Sequence, residues 1–215
     1  MKDFIFVILS FVLTAIAFIY GATKLYSAEK PLYYRIMIAA IGCYLLQELS
    51  SLGFYLCGGF DIKFTTSNIG IFCCSCLIIS AEVCLWKEEG KKDCGFVPYV
   101  VPIILMILMI WCLIIVRQND GIIISILTCI TELPMLIASF HCTRHLILAR
   151  SKDNNFATTK WCAIFSLVYF ALTIMYFPIE YYCSSLVTDI FYVVITLNIV
   201  LLTVNVVKGE KKWKI

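Results

Sequence analysis

Seven apolar stretches of the chain, separated by short polar breaks, lie at about residues 4–23, 33–57, 66–86, 97–116, 121–146, 160–179 and 184–207. Each is long enough for a helix to cross a hydrocarbon layer, which takes roughly 20 residues. The breaks carry turn and charge signals: Lys24, Lys30 and Pro31; Gly58-Gly59-Phe60-Asp61; Lys87 to Asp93; Arg117 to Gly121; Ser151 to Asn155. The pattern predicts an all-α integral membrane bundle of seven transmembrane helices. Seven such spans take about 140 residues, so residues 1–215 are expected to form a single transmembrane domain with no room for a soluble one.

Polar residues recur at helical spacing within the spans. Tyr44, Gln47, Glu48, Ser51 and Tyr55 share one face of span 2, and Asn68, Ser75 and Glu82 share one of span 3. Ser125, Thr128, Glu132 and Ser139 align in span 5. Ser166, Tyr169, Thr173, Tyr176 and Glu180 align in span 6, and Ser185, Asp189, Tyr192, Thr196 and Thr203 in span 7. Asn198 points about 180° away from Asp189, a second polar contact for that helix. Span 4 is nearly unbroken Val, Ile, Leu and Met, which predicts a helix at the edge of the bundle. Pro134 removes a backbone donor from span 5 and predicts a kink there. Pro102 and Pro178 read as span boundaries.

Composition agrees with this reading. Apolar residues make up 62% of the 215 and charged residues 14%, against about half and a quarter in soluble domains. Mean hydropathy is +0.95. A nucleic-acid-binding domain and an ordinary cytosolic enzyme are excluded. Of the 17 Lys and Arg, all but Lys2, Lys63 and Arg117 fall in or beside the breaks after spans 1, 3 and 5 and in the C-terminal tail. The positive-inside rule then predicts an external N-terminus and a cytoplasmic C-terminus. A cleaved signal peptide ending at Ala15-Ile16-Ala17 is the competing reading of span 1. The uncharged Lys2-Asp3 pair and the apolar run continuing through Ile19 argue against it.

An acid at the centre of a spanning helix costs about 2.5–3.5 kcal/mol on insertion scales and usually faces the bundle interior. Glu48, Glu132 and Asp189 are such acids, and all three fall in the central or outer half. They are the candidate ligand- or proton-binding groups of one acid-lined cavity, with Gln47, Asn68, Tyr169 and Tyr176 orienting the ligand. The expected occupant is a proton or a small polar or cationic solute, as in a secondary transporter. The alternative role of the acids is hydrogen bonding that holds helices together. A sensor or receptor working through a cytoplasmic protein partner is the second function. An intramembrane lipid hydrolase ranks lowest, because no nucleophile–base arrangement is legible and no catalytic residue can be named.

Twelve cysteines look like a metal or disulfide set, yet most sit inside spans, where Cys acts as a small apolar residue. Cys57 and Cys183 alone fall near the outer face, where a bridge can form. His141 and His145 sit at i,i+4, a spacing also suited to zinc hydrolases of the adiponectin-receptor and alkaline-ceramidase group. Those need a third histidine, which this chain lacks, so neither a metal nor a cofactor is expected. Span 7 has no Lys for retinal, and the acid–Arg–aromatic triplet of G-protein-coupled receptors is missing. In size and layout the chain is similar to the SWEET and KDEL-receptor group, two three-helix repeats joined by a linker helix. Thr66-Ser67-Asn68-Ile69 and Val187-Thr188-Asp189-Ile190 echo each other in matching places. The Pro-Gln signature of that group is absent, so the likeness is one of layout. Short loops and Ile, Phe and Tyr richness fit a bacterial cytoplasmic membrane.

Overall fold

The computed structural model describes residues 4–27, 29–57, 66–89, 95–148 and 154–213. Its helices are α1 (Phe4–Leu25), α2 (Leu32–Leu56), α3 (Thr66–Glu89), α4 (Val100–Asp120), α5 (Ile122–Leu148), α6 (Asn154–Tyr182) and α7 (Ser185–Trp213), with a 3-10 turn at Val97–Tyr99 leading into α4. No strand occurs among the described residues. All seven helices are long and apolar enough to cross a membrane. The chain is therefore an integral membrane protein whose described residues form an all-helical bundle, with seven helices able to span the membrane.

Several helices outrun the apolar stretches that announce them. Backbone hydrogen bonding continues after the side chains turn polar, so a hydropathy break need not end a helix. Arg117 to Asp120 is not a turn but the last turn of α4. Asn119 there donates through Nδ2 to the Ile115 carbonyl at 2.9 Å. The break is Gly121 alone, at φ +89°, a left-handed conformation that glycine adopts without strain. Pro178 does not end α6, which runs on to Tyr182, and Asn154 and Asn155 belong to α6 rather than to a linker. Pro134 lies inside the continuous helix α5. Pro102 does sit in the first turn of α4, where its missing N–H costs nothing. The Gly58 to Asp61 break and residues 90–94 and 149–153 lie outside the described residues.

Six helices close a ring. α1 packs on α2, α2 on α3, α3 on α5, α5 on α6, α6 on α7 and α7 back on α1, while α2 also touches α7. α4 lies outside the ring against α5 and α6. Its outer face exposes Ile103, Ile107, Ile110, Trp111 and Ile114, and its inner face buries Leu105, Met109, Cys112, Ile115 and Val116. Within the ring α1–α2–α3 and α5–α6–α7 each pack in chain order, and α4 packs against the second of these trios.

Small residues allow close approach, which drives packing where lipid tails are as apolar as leucine. α1 buries a stripe of Val7, Ser10, Thr14, Ala17, Gly21 and Leu25. A Cβ on Gly21 would meet Ile38 of α2 and Thr203 of α7. A Cβ on Gly70 of α3 would fall 2.8 Å from the Cβ of Gln47 and 3.0 Å from the Cys43 carbonyl oxygen.

One end of the bundle holds the amino terminus and the α2–α3, α4–α5 and α6–α7 connections. The other holds the carboxy terminus and the remaining connections. At this carboxy-terminal end Lys30, in the α1–α2 connection, pairs with Glu210 of α7 (Nζ to Oε1, 2.7 Å). Both side chains are largely buried.

Candidate functional site

The polar faces of α2, α6 and α7 meet inside the ring. Glu48 is fully buried on α2 and accepts a hydrogen bond from the Tyr192 hydroxyl of α7. The α2–α7 contact brings the two together across 144 positions of chain. Tyr44, one turn below Glu48 on the same face, lies beside Glu48, Tyr192 and Tyr169. Its ring meets that of Tyr169 edge-on at 5.9 Å, a favoured aromatic geometry. Ser51 adjoins Tyr192 from the other side.

The cluster continues toward the amino-terminal end. The Tyr176 ring of α6 packs on Tyr192 at 6.3 Å. Its hydroxyl donates to Oε1 of Glu180 over a long 3.5 Å, and Asp189 and Tyr55 lie close by. Asp189 is buried in the first turns of α7, whereas Glu180 is exposed. Glu48 lies about 12 Å below the end of α2 and Asp189 about 6 Å below the start of α7, at 1.5 Å per residue. A series of hydroxyls and carboxyls thus runs from fully buried Tyr169 and Tyr44, through Glu48 and Tyr192, to Tyr176, Asp189 and exposed Glu180. Carboxyl groups exchange protons, and phenols both donate and accept hydrogen bonds.

The expected site residues divide. Glu48, Asp189, Tyr169 and Tyr176 belong to this cluster. Glu132 is also buried, about 15 Å down α5, but it turns toward α4, where the Cys112 thiol lies 4.0 Å from Oε1. Its Oε2 has no hydrogen-bond partner among the described residues. No described interaction joins it to Glu48 or Asp189. Gln47 is buried at the α2–α3 crossing against Gly70, and its Oε1 likewise has no partner among the described residues. Asn68 is half-buried in the first turn of α3, with no described bond to the acids. The second polar contact of α7 is present, since Asn198 donates through Nδ2 to the Phe165 carbonyl of α6 at 2.9 Å.

A further buried acid, Glu82, has a separate setting nearer the carboxy-terminal end. Glu82 of α3 accepts from the Tyr33 hydroxyl of α2 at 3.4 Å. Cys142 of α5 and Cys162 of α6 pack around them. The heptad spacing of Asn68, Ser75 and Glu82 points Glu82 inward, but no sequence signal picks out Tyr33. Tyr192 is visible only as a member of the α7 polar face. His145 is buried, with Nε2 2.7 Å from the Thr159 hydroxyl. No group of three or more potential metal ligands occurs among the described residues. The described cysteines, Cys57 and Cys183 included, carry free thiols.

Comparison with known proteins produced no match: no family model fits the chain, and no curated protein or solved structure is detectably similar to it.

Proposed function

We propose that the protein is secondary-transporter-like, binding a proton or a small cationic or polar solute at the Glu48–Tyr192–Asp189 cluster. The observation that carries this reading is a fully buried carboxyl, bonded to a phenol and joined by further phenols and acids to an exposed acid at one end of the bundle. Helix packing alone needs only isolated polar contacts such as Asn198 to Phe165; a graded series from interior to surface is what a conduction path requires. Uptake of a proton neutralises a carboxylate and release restores it, so an imposed pH difference can drive turnover. The Lys and Arg distribution supports an external amino-terminal end and a cytoplasmic carboxy-terminal end, and the short loops fit a bacterial cytoplasmic membrane. The path then opens outward.

The test is flux in liposomes holding a pH-sensitive dye, with wild-type protein, Glu48→Gln and Glu132→Gln. The expected result is loss of proton or proton-coupled solute flux in Glu48→Gln and retention in Glu132→Gln, whose acid lies apart. Negligible flux in all three, with a cytoplasmic protein retained in pull-down, overturns the transporter in favour of a receptor. If Glu48→Gln elutes aggregated while Glu132→Gln is monodisperse, Glu48 serves to hold α2 against α7.

A further inference from the structure

The outer face of α2 carries a site unrelated to the buried acids. At the carboxy-terminal end of the bundle, an open groove of about 440 Å³ is lined by Tyr26, Ser27, Leu32, Arg35, Ile36, Ala39 and Leu77. Its mouth is the α1–α2 connection, where Tyr26 is 74% exposed. Its floor descends along α2 to Ala39 and across to Leu77 of α3. Seven residues separate Leu32 from Ala39, about 10 Å of helix, or one third of a hydrocarbon core about 30 Å thick. The groove therefore starts at headgroup depth and ends among acyl chains.

Its polar groups are all at the upper end, and they suit an anion. Arg35 lies one turn below the mouth, with its Nε buried and without a hydrogen-bond partner among the described residues. Glu29, in this same α1–α2 connection, is exposed, and no described ion pair joins it to Arg35. The Ser27 hydroxyl accepts from the Glu29 N–H at 3.5 Å, so its own proton remains available to donate. The first turn of α2 has no side-chain cap, and its N–H groups add positive potential. A guanidinium below an interfacial phenol reaches upward to a phosphate, as long basic side chains do at membrane interfaces. Beneath it Leu32, Ile36, Ala39 and Leu77 offer only apolar surface.

We propose that this groove binds one anionic phospholipid, with its phosphate on Arg35 and Ser27 and an acyl chain along Ile36, Ala39 and Leu77. A phosphate above an apolar trough is the chemistry that complements a cation with no ion-pair partner among the described residues at that depth. Free inorganic phosphate shares the headgroup chemistry but would leave the trough unfilled.

The test is native mass spectrometry of the delipidated full-length chain titrated with phosphatidylglycerol, phosphatidylcholine or inorganic phosphate. The expected result is one tightly held phosphatidylglycerol, bound more strongly than phosphatidylcholine and not displaced by millimolar phosphate. Arg35→Gln should weaken it roughly tenfold, the value of one charge-assisted hydrogen bond. Lys24→Gln, which alters a basic residue outside the groove, should leave it unchanged. Ala39→Phe, which fills the trough and keeps Arg35, should also weaken it, and it decides the matter if Arg35→Gln folds poorly. Wild-type affinity in Arg35→Gln or in Ala39→Phe overturns the proposal. An equal loss in Lys24→Gln would assign binding to the general basic collar and overturn it too. Displacement by inorganic phosphate overturns the lipid assignment, and equal retention of phosphatidylcholine overturns the anionic one.

Discussion

Tyr192 gives the fully buried Glu48 carboxyl a hydrogen-bond donor from another helix. Removing that hydroxyl strips a buried acid of a hydrogen bond, which costs about 1–3 kcal/mol. Tyr192→Phe should therefore lower the thermal unfolding midpoint in detergent, whereas Tyr26→Phe, at an exposed position, should not. An unchanged midpoint in Tyr192→Phe would mean that the bond contributes little. The steps of three and four from Tyr44 to Tyr55 are enough to turn Glu48 inward. Nothing in them identifies Tyr192, because a partner 144 positions away is chosen by which helices become neighbours. Glu132 shows the same limit from the other side. Its depth resembles that of Glu48, but its direction depends on α4 packing behind α5, and hydropathy carries no trace of that.

Helix positions are set by the apolar runs, while helix ends and crossings are set by backbone details that hydropathy averages away. Gly121 looks like one member of a polar turn, yet it is the whole turn, because its left-handed backbone reverses the chain in one residue. Pro178 looks like a terminator, but an extra helical turn follows it. Gly70 is decisive at the α2–α3 crossing. Alanine normally improves a helix by about 0.5–1 kcal/mol over glycine. Here the added Cβ would sit 3.0 Å from the Cys43 carbonyl oxygen, and overpacking against backbone costs about 1–3 kcal/mol. Gly70→Ala should be destabilising, whereas Gly53→Ala, with nothing within 4 Å of the new atom, should be neutral or slightly stabilising. Equal midpoints for the two variants in a thermal melt would refute the close crossing. The Lys30–Glu210 tie is a further element-scale test. Breaking one side of a buried pair costs roughly 3 kcal/mol. Lys30→Met should lose much of that, and the exchanged pair Lys30→Glu with Glu210→Lys should recover part of it. No recovery would show that position matters more than charge.

At the scale of the molecule, seven spans and an edge position for α4 are legible, because lipid demands long apolar helices and leaves polar residues only where protein covers them. The closed six-helix order is not, since any neighbour that shields Glu48 would satisfy the pattern. Orientation is a whole-molecule property with a direct readout. Cys57 and Cys183 are exposed at the amino-terminal end. With that end outside, a membrane-impermeant maleimide should label either cysteine in intact cells when the other cysteines are replaced. Labelling only after permeabilisation would invert the topology. Ring closure through α1 and α7 also has a consequence for how the protein is made. Glu48 enters the membrane early, and the phenol that receives it is synthesised 144 residues later. At about 5–20 residues per second, that is a wait of about 7–30 s. For that interval the nascent chain carries an acid in or beside the bilayer without its eventual donor. A chain stopped before α7 therefore lacks the phenol that the finished bundle sets against this acid.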